Sequence, residues 1–295
     1  MNIAIVVPTI REKLLHKTFI PAWTEQIKAH KARLIVVVDG NEPTLTAYNE
    51  NGTVSDRLKR KNLRPNEQRL IYDHTDAVRN LGFLYLAGLL DNDDIIVTLD
   101  DDVTPCGDTI GNHAAVLRSK LPISWMPVGD QYTRGFPYAV RAEAEVTVSH
   151  GVWKGIHDYD APTSLVNGNK PMQFYRGAIP KGVLAPICGM NLAFRASVLP
   201  LVYYAPMGAG CGFHRFSDIW MGIELKRALD DRQQALATGY STVWHNRQSN
   251  MLKNLVAEAP GIVLNETYWQ APSSYQKFHQ KIRRDWEAAI TARER

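Results

Sequence analysis

Asp93-Asp94-Ile95-Ile96-Val97-Thr98-Leu99-Asp100-Asp101-Asp102 is the stretch on which the reading of this chain turns. Residues 95–99 run between two acidic clusters without polar alternation, so protein must cover both faces of the strand they form. Three adjacent carboxylates repel one another and are costly to assemble unless a cation or a solvated edge absorbs their charge. A buried parallel strand that runs into such a triplet puts it at the carboxyl edge of a sheet, where open α/β sheets collect ligands. On extended backbone Asp100 and Asp102 point to one face. Two carboxylates on one face suit a hard divalent ion that keeps waters and takes diphosphate oxygens as further ligands. A solvated acidic turn is the plainer alternative.

The segments on either side build the same sheet. Residues 3–7 form another aliphatic run, closed by Pro8-Thr9, and residues 34–38 a third, closed by Asp39-Gly40-Asn41. Between them Leu15, Phe19, Trp23 and Ile27 recur every four residues, which predicts a helix kinked or split at Pro21. Strand, helix, strand is the pattern of a parallel βαβ unit. Leu81, Leu84, Tyr85 and Gly88 give helical spacing over 75–90, while the polar segment 42–66 is expected to be an irregular excursion. Beyond about residue 120, strand-like pieces such as 145–148 alternate with Gly/Pro-rich loops, and helical periodicity returns at 219–229. Residues 273–295 predict one amphipathic helix with Tyr275, Phe278, Ile282, Trp286 and Ile290 along one side.

The 295 residues carry 34 Lys+Arg against 30 Asp+Glu, a net charge of +4, with 45% hydrophobic and 22% charged residues. That much apolar side chain excludes disorder as the main state, and the length suits two lobes or one large α/β unit. The basic excess gathers at Arg57, Lys59, Arg60, Lys61 and Arg64 without interleaved aromatics, which argues against a nucleic-acid partner. Cys106, Cys188 and Cys211 show no CxxC spacing. This argues against a disulfide framework and a zinc knuckle, and for a reducing, cytoplasmic compartment. The amino-terminal apolar run is too short for a signal peptide, and no window approaches the length of a membrane span. No GxGxxG follows the first strand, since Gly208-Ala209-Gly210-Cys211-Gly212 has the wrong spacing, and GxxxxGK[ST], GxSxG and HExxH are absent. Neither flavin nor NAD is therefore expected.

Three further positions belong with the triplet. Arg79, in Arg79-Asn80-Leu81-Gly82 ahead of the triplet's strand, would bring a guanidinium to the same sheet edge, where a departing diphosphate needs neutralising. A surface arginine is the equal alternative. Asp39 could accept bonds from a base or ribose, or simply hold a turn. His245 follows a short apolar run through Val243. A neutral imidazole there would join Asp100 and Asp102 as a ligand of manganese or magnesium, with a structural histidine as the alternative. A DxD array of this kind is the logic of nucleotide-sugar enzymes.

The middle of the chain is more specific. Tyr132-Thr133-Arg134-Gly135-Phe136-Pro137-Tyr138-Ala139-Val140-Arg141, Val148-Ser149-His150-Gly151-Val152-Trp153, Asp158-Tyr159-Asp160-Ala161-Pro162-Thr163 and Ile179-Pro180-Lys181-Gly182 resemble the reversibly glycosylated polypeptides. That family includes the UDP-arabinopyranose mutases. Cys188-Gly189-Met190-Asn191-Leu192-Ala193-Phe194 and Ser217-Asp218-Ile219-Trp220-Met221-Gly222 continue the likeness in the same order, over roughly residues 76 to 250. The resemblance implies an α/β fold of GT-A-like, Rossmann type: a mostly parallel sheet flanked by helices, with a loop-rich acceptor and sugar-binding half. The chain is read as one such domain over 1–295. A nucleotide-binding βαβ half spans 1–105, a sugar-binding and catalytic half 106–255, and a C-terminal extension with a helix 256–295.

The resemblance further implies a metal-dependent enzyme that interconverts UDP-L-arabinopyranose and UDP-L-arabinofuranose, with manganese the usual ion. It implies reversible self-glycosylation at Arg134, a second required arginine at Arg141, and the family's triple Asp at Asp100 to Asp102, with Asp101 assigned to the substrate. Here Ser217-Asp218 stands where Asp-Asp is usual, Val103 where Cys is common, and the chain is shorter than the plant enzymes. These departures bear on sugar specificity more than on nucleotide or metal. A guanidinium is a poor nucleophile, so a carboxylate must orient Arg134 or take its proton. Asp158, Asp160 and Asp218 are the candidates, and Asn191 is set against sugar hydroxyls. Otherwise Arg134 only stabilises charge. Two other readings share the scaffold: a glycosyltransferase acting on an external acceptor (a protein, a glycan or a modified nucleobase), and a non-catalytic subunit that binds a nucleotide sugar. Homo- and hetero-oligomeric assembly are both left open.

Overall fold

The computed structural model describes residues 2–126, 132–207, 214–247, 250–270 and 274–293, except for the side chains of 274–278. Cys211 and the side chains of Tyr275 and Phe278 lie outside the described residues. In chain order the strands are β1 (Ile3–Thr9), β2 (Arg33–Val38), β3 (Thr44–Tyr48), β4 (Val54–Lys59), β5 (Ile95–Leu99), β6 (Val103–Pro105), β7 (Lys120–Pro122), β8 (Glu143–Gly155), β9 (Gly177–Ala178), β10 (Asn191–Arg195) and β11 (Ala235–His245). The helices are α1 (Glu12–Lys17), α2 (Phe19–Ala29), α3 (Pro65–Gln68), α4 (Arg79–Leu86), α5 (Thr109–Leu117), α6 (Ala161–Asn167), α7 (Ser217–Asp231), α8 (Met251–Tyr268) and α9 (Ser274–Thr291).

The strands join in the order β4-β3-β2-β1-β5-β10-β8-β11-β6, with β7 added on β8 and β9 on β11. β1 runs parallel to β2 and β5, and β8 parallel to β11. The other pairings are antiparallel, so the expected Rossmann-like α/β sheet has a parallel trio, β2-β1-β5, and is mixed as a whole. Period-2 alternation explains the unbroken aliphatic runs. On β1, Ala4 and Val6 enter one apolar layer with Phe83, Phe194, Trp220 and Trp286. Ile3, Ile5 and Val7 enter the other with Phe19, Trp23, Ile110 and Leu117. Neither face of the strand sees water.

Four local expectations change. Segment 42–66 is not irregular: β3 and β4 form an antiparallel extension of β2. Its polarity comes from β4, a solvent-exposed edge strand whose Arg57 and Lys59 suit an unpaired border. The helix of residues 12–29 divides at Thr18 rather than at Pro21, which sits in the first turn of α2 where an N–H has no intrahelical partner. The helix expected over 75–90 is shorter, with a 3-10 turn at Asp76–Val78, then α4, which ends before Gly88 at φ +85°. α8 was not anticipated. α9 occupies the predicted tail helix, and its Trp286 is fully buried, donating from Nε1 to the Leu199 carbonyl.

One close approach positions the site. A Cβ on Gly82 would stand 2.7 Å from Val6 Cγ1, so glycine lets α4 lie directly on β1. Asn80 then brackets two loops, donating to the carbonyls of Leu70 and Tyr204 and accepting from Tyr204 N–H. Arg79, at the head of α4, is thereby delivered to the carboxyl edge of β5.

Candidate active site

The carboxyl ends of β1, β2 and β5 open into a cleft of about 460 Å³ whose lining includes Thr9, Arg11, Asp39, Asp76, Arg79, Asp100, Asp101, Asp102, Arg215 and Arg247. Strand alternation does not decide where the triplet points, because β5 ends at Leu99 and the three aspartates turn into β6. Cations sort them instead. Arg79 pairs with Asp100 and also donates to Thr98 Oγ1 (2.8 Å) and the Gly189 carbonyl (3.2 Å). Its guanidinium is buried against the Tyr204 ring at 5.2 Å, so it is not a surface arginine. Arg11 pairs with Asp101 and reaches Asp102 at 3.2 Å.

Asp101 lines the cleft beside Arg11. Its oxygens are engaged by Arg11 and by Thr9 Oγ1, which ties the triplet to β1. Asp39 lines the cleft as expected, while its Oδ1 holds a turn by accepting from the N–H groups of Gly40 (2.7 Å) and His74 (2.9 Å).

Asp102 is the most strained member. Burial first, then repulsion from Asp100, raises its carboxyl above the usual range, with His245 opposing the rise. His245 closes β11 beside β6, and its Nδ1 lies 2.8 Å from the Ile156 carbonyl. A carbonyl only accepts, so Nδ1 donates to it and Nε2 is the nitrogen turned toward Asp102 Oδ1, 4.0 Å away. Among the described residues no three histidine, cysteine or carboxylate side chains form a ready-made metal cage. Two donors, a carboxylate and an imidazole with its tautomer fixed from behind, nevertheless fit an ion that draws its remaining oxygens from phosphate and water.

Asp218, Asp158 and Asp76 form an acidic layer beside the cleft. Asp218, in the first turn of α7, accepts from Gly189 N–H at 3.0 Å, and Ser217 donates to Asp76. Asp158 accepts from Cys188 Sγ at 3.3 Å, and burial, then Asp158 itself, pushes that thiol well above its ordinary value. Burial and then Asp76 raise Asp218 from 3.8 to about 7, against a lowering by Gly189 N–H. At Asp218 the folded protein thus holds a proton that the unfolded chain releases, so this group's contribution to stability falls as pH rises between about 4 and about 7, opposite in sign to the contributions of the buried His113, His150 and His279, whose pKa values are lowered. Asp218→Asn is expected to raise the urea midpoint at about pH 8 relative to that at about pH 5, compared with wild type. An unchanged difference between the two midpoints would remove Asp218 as a contributor.

Four expected site residues stand elsewhere. Asp160 caps α6, accepting from Thr163 N–H (2.9 Å) and Oγ1 (2.7 Å), so a helix end rather than a sugar engages its oxygens. Asn191 has no solvent exposure. It is locked by His113 Nε2 at 2.8 Å and donates to the Val152 carbonyl, because a central strand cannot leave a buried amide unpaired. Arg134 is exposed and does not line the cleft. Arg141 also lies outside the cleft lining, stacked 3.8 Å from the Tyr138 ring centre and 4.7 Å from that of Tyr132, and bonded to the Phe136 carbonyl. It organises the strap that carries Arg134.

Sequence reasoning missed Arg11, Asp76, Arg215 and Arg247. Arg247 stands 3.8 Å from Asp102, and Arg215 bonds Glu258 at 2.6 Å and faces Asp158 at 3.9 Å. Arg11, Arg215 and Arg247 come from loops and Asp76 opens a 3-10 turn, none of them within a motif. Only the position of Arg11, just beyond the first strand's end, could have signalled it.

A family profile described as reversibly glycosylated polypeptide matches residues 1–274. A probable UDP-arabinopyranose mutase 1 from Zea mays is 31% identical over 288 residues, covering 90% of this chain and 74% of its own length. A probable UDP-arabinopyranose mutase 4 from Arabidopsis thaliana is 30% identical over 312 residues, covering 99% and 81%. UDP-arabinopyranose mutase 3 of the same plant is 31% identical over 293 residues, covering 90% and 75%. Among the described residues no helix is long and apolar enough to cross a membrane.

Proposed function

The chain belongs to the reversibly glycosylated polypeptide family, and on that premise we propose that it interconverts UDP-L-arabinopyranose and UDP-L-arabinofuranose. The observation that carries this reading is the cleft itself, with an aspartate triplet at the end of β5 and Arg11, Arg79 and Arg247 around it. Alternating fixed charges of this kind suit a diphosphate that must become a leaving group. Unpaired Cys106 and Cys188 are in keeping with a reducing compartment, the cytoplasm.

Ring contraction begins when the bond from C1 to the UDP oxygen breaks and its electron pair stays on the β-phosphate. Arg79, pinned by Thr98 and Gly189, meets that charge without rearranging. A divalent ion, when bound, supplies further positive charge to the diphosphate, and Asp102 and His245, with Asp100 beside them, would hold it. C1 passes to a nitrogen acceptor that gives up a proton. The ring oxygen then leaves C1 with a proton gained, the 4-hydroxyl closes on C1 with a proton lost, and the β-phosphate oxygen takes C1 back as the bond from C1 to nitrogen breaks and the nitrogen recovers its proton. Asp218, titrating near neutrality, is suited to give and take those protons.

For the acceptor the proposal keeps Arg134. It is exposed and makes no hydrogen bond or ion pair with a described residue. Arg134→Lys is expected to lose most mutase turnover, on the order of a hundredfold or more. Retention of full turnover would leave Arg134 no covalent role.

The deciding experiment incubates the protein with UDP-arabinopyranose and manganese and separates the products. New UDP-arabinofuranose is the expected result. UDP released only when an acceptor is added would indicate a glycosyltransferase instead, and neither product a nucleotide-sugar-binding subunit.

A further inference from the structure

His245 also walls a second concavity. The ends of β8 and β11 and the segment 169–174 enclose a groove of about 650 Å³. Its character is opposite to that of the cleft. The cleft is crowded with carboxylates and arginines, whereas Lys154 carries the single fixed charge among the described residues lining the groove. Aromatic faces dominate instead. Trp153 meets Phe174 edge-on with ring centres 5.2 Å apart, and Trp244, 47% exposed, presents its ring to solvent. Asn169 fixes the rim by accepting from His157 N–H and donating to the Gly155 carbonyl.

Two polar atoms in these walls are left over. Trp153 is 7% exposed, yet its Nε1 makes no hydrogen bond among the described residues. His157 Nδ1 is likewise buried and unpaired. Unpaired buried polar atoms are rare in native proteins and call for a partner. No arginine stands among the described lining residues, which argues against a phosphate. A fatty chain would cover the rings but leave both nitrogens unpaired. A sugar ring has apolar C–H faces for the aromatics and hydroxyls for the nitrogens, and it is uncharged.

We propose that this groove is a carbohydrate subsite that takes a neutral sugar ring against Trp153 and Trp244, with hydroxyls meeting Trp153 Nε1 and His157 Nδ1. Its place in catalysis, next to the leaving-group site across His245, rests on the proposed UDP-sugar reading of the cleft, but its binding does not.

The seven tryptophans provide the test. The full-length protein, labelled with 15N at the indoles, is titrated with arabinotriose and then xylotriose. The Trp153 and Trp244 resonances, assigned with Trp153→Phe and Trp244→Leu, are expected to move together with one binding curve. Trp23, Trp220 and Trp286, each at most 1% exposed, should stay fixed and report that the fold is intact. Trp244→Leu is expected to weaken binding about tenfold, the equivalent of one aromatic contact. The inference is overturned if neither trisaccharide moves either resonance, if a fatty acid moves them and no sugar does, or if Trp244→Leu binds as wild type. UDP titrated separately reports on the cleft. A protein that binds UDP and no sugar therefore refutes the groove alone, and one that binds sugar and no UDP refutes only the cleft reading.

Discussion

Asp102→Asn is expected to lower kcat/KM for UDP-arabinopyranose by about 10²–10³, the usual effect of removing one group that stabilises developing charge. The same change should leave the metal-free protein at least as stable as wild type. Burial and the neighbouring Asp100 already disfavour the Asp102 carboxylate, so an uncharged isostere relieves a native repulsion. The sign is fixed by linkage: a carboxyl raised in the folded state costs stability once pH exceeds its unfolded value. Added manganese should reverse the order, because an ion that binds only the wild-type site stabilises only that protein. Initial rates and melting curves with EDTA and with manganese test both halves. Unchanged metal dependence in Asp102→Asn would sink the assignment of Asp102 as a ligand.

Arg79→Met should be damaging in both respects. The side chain is 3% exposed and is held by Thr98, Gly189, Asp100 and the face of Tyr204. Methionine can fill the volume but leaves Asp100 without its cation, and the loss should fall below the about 3–5 kcal/mol typical of a fully buried pair, because Asp100 is 33% exposed and water can solvate the charge left behind. UDP affinity should fall as well, since the guanidinium faces the diphosphate in the proposed mode. Denaturant unfolding and calorimetric titration with UDP separate the two losses. A variant of wild-type stability with intact UDP binding would show that Arg79 neither supports the triplet nor meets the nucleotide. Arg79→Lys should recover charge but not geometry, because an ammonium cannot donate to Thr98, Gly189 and Asp100 in one plane.

How far the site could be read from the sequence follows from what each residue depends on. Arg79 was legible because its neighbours in the chain determine its place. Gly82 permits the close approach of α4 to β1, and Asn80 ties the helix head to two loops. Asp160 and Asn191 could not be placed from the sequence, because a polar residue in a motif looks the same whether it meets a ligand, caps a helix or satisfies a buried network. Only the positions of Thr163, His113 and Val152 distinguish these cases. The placement of Arg141 was hidden for a similar reason, since its stacking on two tyrosines depends on how residues 132–141 fold back on themselves.

The sequence by itself determined the layers. The unbroken runs at 3–7, 34–38 and 95–99 can be buried only on both faces, and that requires helices on either side of a sheet whose edge receives the aspartate triplet. Tertiary structure alone decided which aspartate does what. Asp100, Asp101 and Asp102 are chemically identical neighbours, and Arg79, Arg11 and His245, arriving from α4, the loop after β1 and the end of β11, give each a different partner. Electrostatic pairing acts over a few ångströms of space, whatever the separation along the chain, so local sequence pattern cannot carry that information.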